Sequence, residues 1–317
     1  MLTYFQAMVI GAVQGFTELF PISSLGHSVL VAAWLGGRWG ALPGRGGTDS
    51  AATYLAFVVA LHVATAVALV IYYWREWCAI AAGFVEMVRT RRLDTVPQRL
   101  AWLIVIATVP VAILGPLLEH PLLEHPLHDV FAAPLCAAAF LTVNGMVLVV
   151  GEGLRRRNEP TLAEYGRRVA LNQANRRTRT ATTLSLPQSD RRLAALDSRD
   201  AVGIGLAQAG ALLTGFSRAG LTMVGGLWRG LEHEHAAKFA FLLATPAIFG
   251  AGIVDLPDLI TPRAEVIWGP IIVGAVVSGV TSWLAVRYLE RYFRTRTLLP
   301  FAAYCVIVGV VSIIRFG

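Results

Sequence analysis

Two short segments of this sequence combine glycine with hydroxyl and ionisable side chains, and each interrupts a stretch that is otherwise apolar. The first reads QGFTELFPISSLGH over residues 14–27, and the second reads TGFSRAGLT over residues 214–222. A carboxylate, an imidazole or a guanidinium is costly to bury unpaired in hydrocarbon, so such residues inside apolar runs are functional candidates. Glu18, His27 and Arg218 are therefore the first candidates for chemistry.

The first segment is suited to placing a carboxylate beside an anion. A helix through Gln14 and Glu18 stacks both side chains on one face, and Pro21 ends that helix. Ser23 and Ser24 can then cap the next helix, whose free N–H groups and positive dipole end attract anions. The spacing therefore predicts an anion site at the start of a half-helix.

The second segment offers the same arrangement with an arginine added. Ser217 is placed to cap a half-helix, and the next residue is Arg218. A guanidinium can hold two phosphate oxygens in a bidentate fork. The second segment therefore predicts a phosphate-holding site.

The remaining histidines of the sequence are not assigned a catalytic role. His62 stands alone in an apolar run and is assigned a structural role. Residues 232–235, of sequence EHEH, are interpreted as a solvated cytoplasmic turn. Residues 117–126 repeat the sequence LLEHP, and the prolines argue against the regular helix that would align its histidines on a metal.

The composition indicates a membrane protein. Hydrophobic residues make up 56% of the chain and charged residues 15%, and the mean hydropathy is +0.60. Apolar runs reach or approach the roughly 20 residues that cross a hydrocarbon core. They cover residues 52–74, 100–118, 130–150, 239–254, 266–286 and 298–314. Six transmembrane helices are therefore predicted.

The distribution of arginines predicts the orientation of these spans. Arginines cluster in residues 75–99, 155–199 and 287–296, whereas the other two connecting segments hold only Arg263. The positive-inside rule places the three arginine-rich segments in the cytoplasm, so both termini lie on the outer face. Because this topology explains the net charge of +7, we expect no nucleic-acid partner.

The two polar segments align with each other without a gap, residues 11–26 against 205–220. The identical pairs are Gly11/Gly205, Gln14/Gln208, Leu19/Leu213, Ser23/Ser217 and Gly26/Gly220. Each segment predicts a re-entrant helical hairpin. Non-helical backbone inside a membrane is tolerated only where protein or a water-filled cavity surrounds it, so both hairpins should face a common interior site. We therefore predict an all-α polytopic membrane protein, a single domain with an inverted repeat. Its halves are residues 1–154 and 201–317, joined by a polar cytoplasmic insertion over 155–200.

Both segments resemble motifs of a known family, the bacterial undecaprenyl-diphosphate phosphatases associated with bacitracin resistance. Residues 14–27 are similar to its (E/Q)GxTEFLPISSTGH motif, and residues 215–222 to its PGxSRSGxT motif. The similarity continues through residues 238–252 and 287–301. It covers most of the chain except residues 155–200.

The resemblance implies hydrolysis of undecaprenyl diphosphate to the monophosphate carrier of cell-wall synthesis, in the bacterial inner membrane, with the headgroup approached from the outer face. It also implies a divalent cation, Mg²⁺ with Ca²⁺ as the alternative. Glu18 would ligate the cation, with Gln14 as a second ligand, and Arg218 would hold the diphosphate. His27 would be the nucleophile or a general acid/base, Ser24 is the competing nucleophile, and the sequence does not choose between them.

Further residues of the two motifs are expected to bind the substrate. They are Gln14, Ser23, Gly26, Ser217, Gly220 and Thr222. Three positions differ from the family pattern, since Thr214, Ala219 and Ala240 stand where proline, serine and serine are usual. The expected partners are the lipid substrate and the bilayer, and the oligomeric state is left open, a homodimer being one arrangement.

A transporter is the main alternative function. Inverted repeats with broken helices occur in carriers, and the same cavity could move a polyprenyl phosphate across the bilayer. A flippase of this kind needs Arg218 but no nucleophile. Another lipid phosphatase class, with PSGH and SRxxxxxHxxxD motifs, is excluded because Val224 and Trp228 occupy the places of its histidine and aspartate.

Overall fold

Helices make up nearly all of the chain that the computed structural model describes, which is residues 2–40, 48–123, 133–157, 193–194, 196–254 and 268–317. They are α1 (Tyr4–Leu19), α2 (Ser24–Leu35), α3 (Gly37–Gly40), α4 (Thr48–Tyr72), α5 (Trp74–Thr90), α6 (Val96–Leu123), α7 (Pro134–Arg157), α8 (Ser198–Ala209), α9 (Arg218–Trp228), α10 (His233–Val254), α11 (Trp268–Tyr292) and α12 (Leu299–Phe316). Most of the predicted insertion and part of the LLEHP repeat lie outside the described residues.

Six of these helices, α4, α6, α7, α10, α11 and α12, are long and apolar enough to cross a membrane. The predicted all-α polytopic membrane protein is therefore confirmed. The ends of some spans differ from the prediction. The span predicted to begin at residue 239 begins at His233, and the span predicted to end at residue 286 continues to Tyr292.

The interpretation of residues 232–235 as a solvated turn is wrong. His233 is the first residue of α10, and both His233 and His235 are buried. His233 Nε2 lies 2.7 Å from a carboxylate oxygen of Glu152 on α7. Because the imidazole has this carboxylate partner, the histidine can be buried where α10 enters the bundle.

Two pairs of short helices, α1 with α2 and α8 with α9, contain the two polar segments. Helix α1 ends at Leu19 because Pro21 restricts the residue before it, and Phe20 is extended with φ −71° and ψ 144°. Helix α8 is followed by a 3₁₀ turn over Gly210–Leu212. We call α1 with α2 the first hairpin and α8 with α9 the second hairpin.

Each hairpin packs against one span through a glycine. Gly11 on α1 lies against the backbone of Gly274 on α11, and Gly205 on α8 lies against the backbone of Ala107 on α6. A Cβ atom at Gly11 or Gly205 would collide with the facing carbonyl oxygen. Small residues at these contacts therefore let the hairpins approach the spans closely.

Helices α7 and α12 also pack closely, and they support the hairpins. Gly145 on α7 approaches the backbone of α12, and Gly309 on α12 approaches the backbone of α7. Their side chains Asn144 and Tyr304 reach residues of the hairpins. The α7–α12 pair is thus part of the frame that positions the candidate site.

Candidate active site

Glu18 lies at the centre of the candidate site and is buried. The hydroxyl of Ser24 donates to its Oε2 at 2.5 Å, and the amide of Gln14 donates to the same oxygen at 2.9 Å. From the second hairpin, the Arg218 guanidinium donates to Oε1. The two hairpins therefore meet on one carboxylate.

His62, predicted to have only a structural role, belongs to this cluster. Its Nδ1 donates to the Val58 carbonyl at 2.8 Å, and its Nε2 lies 3.0 Å from Gln14 Nε2 and 3.4 Å from Glu18 Oε2. The Gln14 amide has two hydrogens, so it can donate to Glu18 and His62 at once. The sequence signal that could have placed His62 in the site is an ionisable residue inside an apolar run, and this signal applies to His62 as much as to Glu18.

Ser24 and Arg218 occupy matching places in the two hairpins. Ser24 is the first residue of α2, and Arg218 is the first residue of α9. The residue before each caps the helix, since the hydroxyls of Ser23 and Ser217 each accept a backbone N–H three residues on at 3.1 Å. Each half-helix therefore presents its first residue, and the positive end of its dipole, at the junction of the hairpins.

Asn144, which sequence reasoning missed, joins the two hairpin turns. It is fully buried on α7, and its Nδ2 donates to the Pro21 carbonyl at 3.1 Å while its Oδ1 accepts the Ser217 N–H at 3.0 Å. The Ser217 hydroxyl donates to the Phe20 carbonyl at 3.2 Å. A lone amide in an apolar run was the only signal, and it did not indicate these distant partners.

His27 contacts the turn and α12 instead of the carboxylate. Its Nδ1 lies 2.6 Å from the Ser23 carbonyl oxygen, and its Nε2 lies 2.8 Å from the Tyr304 hydroxyl. Within the described residues, neither ring nitrogen is bonded to Glu18 or Ser24. A serine hydroxyl bonded to a basic group is the arrangement of an activated nucleophile, so the geometry favours Ser24 over His27.

The other residues predicted to bind substrate lie at the same junction. Thr222 donates its hydroxyl to the backbone of its own helix. Gly26 lies against Gly215, and Gly220 lies against Pro21. These two glycines allow the turns of the hairpins to touch, which brings Arg218 within reach of Glu18.

The donor set fits a divalent cation when a phosphate supplies further ligands. Within the described part of the chain, no group of three or more His, Cys, Asp or Glu side chains could hold a metal ion. Glu18 contributes a carboxylate, and the side chain of Gln14, whose amide also carries an oxygen, lies beside it with Nε2 on Glu18 Oε2. Mg²⁺ commonly takes one or two carboxylates and completes its shell with water and substrate phosphates, and this pair is such a partial set.

Comparisons with known proteins identify the family of this chain. A family model described as Bacitracin resistance protein BacA matches residues 7–311. A relative from Frankia alni named Undecaprenyl-diphosphatase 2 is 47% identical, with 100% of this chain and 98% of the relative covered. Relatives named Undecaprenyl-diphosphatase include one from Mycolicibacterium paratuberculosis at 48% identity (99% and 97% covered) and one from Acidiphilium cryptum at 40% (97% and 96% covered). This chain therefore belongs to the BacA family of bacitracin resistance proteins.

Proposed function

We propose that this protein hydrolyses undecaprenyl diphosphate, or a similar polyprenyl diphosphate, to the lipid monophosphate and inorganic phosphate. The observation that carries the proposal is the Ser24 hydroxyl held on Glu18 Oε2 at 2.5 Å, with the Arg218 guanidinium on the other oxygen of the same carboxylate. The names of the relatives support the same substrate. The product is the lipid carrier that cell-wall synthesis reuses.

Ser24 is the nucleophile of the proposed reaction. Its oxygen attacks the terminal phosphorus while its proton passes to Glu18, and the bond from that phosphorus to the bridging oxygen breaks. The lipid monophosphate leaves with the electron pair of the broken bond. Water then attacks the phosphoserine, Glu18 returns its proton to the serine oxygen, and dihydrogen phosphate leaves.

Arg218 and the half-helix ends bind the diphosphate. The guanidinium can replace its contact with Glu18 by a bidentate contact with phosphate oxygens. The capped N-termini of α2 and α9 add two positive dipole ends at the same junction. These groups stabilise the negative charge that the reaction spreads over the transferring phosphoryl group.

A divalent cation, Mg²⁺ with Ca²⁺ as the alternative, is part of the proposal. Glu18 and Gln14 are the residues that would hold it, together with oxygens of the substrate. When bound, the cation would neutralise charge on the diphosphate. Hydrolysis that persists after strict chelation would contradict this part of the proposal.

The proposed architecture is an inverted repeat with the substrate approached from the outer face of the bacterial inner membrane. Supporting it, α1 runs parallel to α11 and α8 runs parallel to α6. The contacts that give these directions are Gly11–Gly274 and Phe20–Tyr288 for α1, and Ser198–Trp102 and Gly205–Ala107 for α8. With α6 leaving the cytoplasm and α11 returning to it, as the arginines predict, the hairpins enter from opposite faces.

A hydrolysis assay on the purified protein tests the proposed function. We expect phosphate release from polyprenyl diphosphates in detergent or nanodiscs, loss of release in Glu18→Ala and Ser24→Ala, and a reduced but measurable rate in His27→Ala. The same preparations, in liposomes, are assayed for movement of a labelled polyprenyl phosphate between leaflets. Transport without any hydrolysis would contradict the phosphatase and favour the flippase.

A further inference from the structure

The residue directly before the proposed nucleophile has a strained backbone. Ser23 has φ 68° and ψ 106°, a conformation that residues other than glycine rarely adopt. The other described non-glycine residue with positive φ is Arg91, which lies in the ordinary left-handed region at the end of α5. Strain of this kind persists only where surrounding groups hold it, and it concentrates at functional sites.

Besides the backbone hydrogen bond from the His27 N–H to the Ser23 carbonyl at 3.2 Å, two contacts hold Ser23 in this conformation. Its hydroxyl accepts the Gly26 N–H at 3.1 Å, and its carbonyl accepts a hydrogen bond from His27 Nδ1 at 2.6 Å. The hydroxyl contact also occurs at Ser217, whose φ is an unstrained −92°. The imidazole contact is peculiar to the first hairpin, because Leu221 stands at the place of His27 in the second.

Tyr304 on α12 is hydrogen-bonded to the other nitrogen of that imidazole. A carbonyl oxygen only accepts, so His27 Nδ1 must carry a hydrogen, and Nε2 of the neutral ring must then be an acceptor. The Tyr304 hydroxyl, 2.8 Å from Nε2, is the donor that this tautomer requires. The two rings are also stacked, with 10° between their planes and 5.6 Å between their centroids.

We propose that Tyr304 is a positioning residue of the hydrolysis. It acts through His27, which holds the strained turn at Ser23, and this turn presents the Ser24 hydroxyl to Glu18. The inference rests on the proposed function, with Ser24 as the nucleophile. It gives His27 an orienting role, and it adds a residue from the far end of the chain to the machinery of the first hairpin.

Tyr304→Phe tests the proposal because it removes the hydroxyl and keeps the stacked ring. We expect kcat to fall on the order of tenfold, less than the roughly hundredfold cost of a 1 Å displacement of a reacting group, with KM within about twofold. Tyr72→Phe is the matched control, since its hydroxyl donates to Glu290 at 2.7 Å in another part of the bundle. The control should lose similar thermal stability and keep its kcat.

A double-mutant cycle with His27→Ala shows whether Tyr304 acts through the imidazole. In the His27→Ala background we expect Tyr304→Phe to leave the remaining kcat unchanged. An equal fall of kcat in both backgrounds, an unchanged kcat in Tyr304→Phe alone, or an unfolding temperature far below that of Tyr72→Phe would each overturn the proposal. Absence of hydrolysis in the unmodified protein would instead refute the proposed function.

Discussion

The two hairpins share one design and differ in what they add to it. Each begins its second half-helix with a serine cap whose hydroxyl accepts a backbone N–H at 3.1 Å. In the first hairpin the capping residue has φ 68°, and in the second it has φ −92°. The first hairpin therefore stores strain directly before Ser24, whereas the second presents Arg218 from relaxed backbone. In the proposed mechanism, the first is the reacting hairpin and the second is the binding hairpin.

The aligned glutamines on the first helix of each hairpin also differ in their contacts. Gln14 is bonded to Glu18 and His62, whereas the aligned Gln208 is buried with no hydrogen-bond partner among the described residues. The place of Glu18 is taken in the second hairpin by Leu212. The carboxylate therefore occurs in the first hairpin and not in the second, and the second hairpin contributes the Arg218 guanidinium that pairs with it.

The largest effect is expected from Ser24→Ala. Removal of the nucleophile should lower kcat by about 10³-fold or more, because the remaining groups can only assist direct attack by water. Ser28→Ala is the control on the same helix, since its hydroxyl donates only to the Ser24 carbonyl, at 3.1 Å. Phosphate release measures both variants, and a Ser24→Ala enzyme within tenfold of the unmodified protein would remove the distinction between the hairpins.

Arg218→Lys should have the next largest effect. Lysine keeps the charge but loses the planar fork, so we expect kcat/KM to fall about 10²-fold. Arg229→Lys, at the residue that caps the C-terminus of the same helix, is the control, because Arg229 pairs with Asp200 at 2.9 Å outside the site. Steady-state kinetics decide the outcome, and equal effects of the two substitutions would contradict a binding role for the second hairpin.

Asn144→Leu should uncouple the hairpins. It leaves the buried Ser217 N–H without its partner, at about 1–3 kcal/mol, and leaves the Pro21 carbonyl to the weak thiol donor of Cys305 at 3.8 Å. We expect a lower unfolding temperature and about a tenfold loss of kcat/KM. Thr142→Val, which removes only a bond from a side chain to its own helix, should change neither quantity appreciably. Full activity in Asn144→Leu would show that the turns are held by other contacts.

The smallest effects distinguish the aligned glutamines. Gln14→Leu should raise the cation concentration needed for half-maximal activity about tenfold, because it removes a proposed ligand and the donor to Glu18. Gln208→Leu should leave activity within about twofold and preserve or raise thermal stability, since no hydrogen bond is lost. Titrations with Mg²⁺ measure both variants, and equal shifts would mean that the second hairpin also takes part in cation binding.

Local sequence rules were sufficient for the spans and the hairpin caps. Apolar run lengths predict the six spans, Pro21 predicts the end of α1, and serines before half-helices predict the caps at Ser23 and Ser217. These features depend on residues close together in the chain. The same is true of the stacking of Gln14 and Glu18 one helical turn apart.

Contacts between distant residues could not be predicted in this way. Asn144 and Tyr304 reach the hairpins across 123 and 277 positions of sequence, and no local pattern specifies such partners. Burial of His233 was missed because its partner Glu152 lies on another helix. The positive φ at Ser23 was missed because serine has no intrinsic preference for it, and because the imidazole of His27 that contacts Ser23 has its second partner, Tyr304, on the distant helix α12.

The central claim is that Ser24 in the strained first hairpin attacks the phosphorus. Its direct test is rapid quenching of the enzyme in neutral detergent, with a substrate labelled at the terminal phosphate, followed by acid and alkali treatment of separate samples and peptide mapping of the labelled protein. We predict label on Ser24 that is stable to acid and released by alkali, as a phosphoserine is. Label on His27 that is lost in acid and stable in alkali, or burst kinetics with no label on the protein, would contradict the claim.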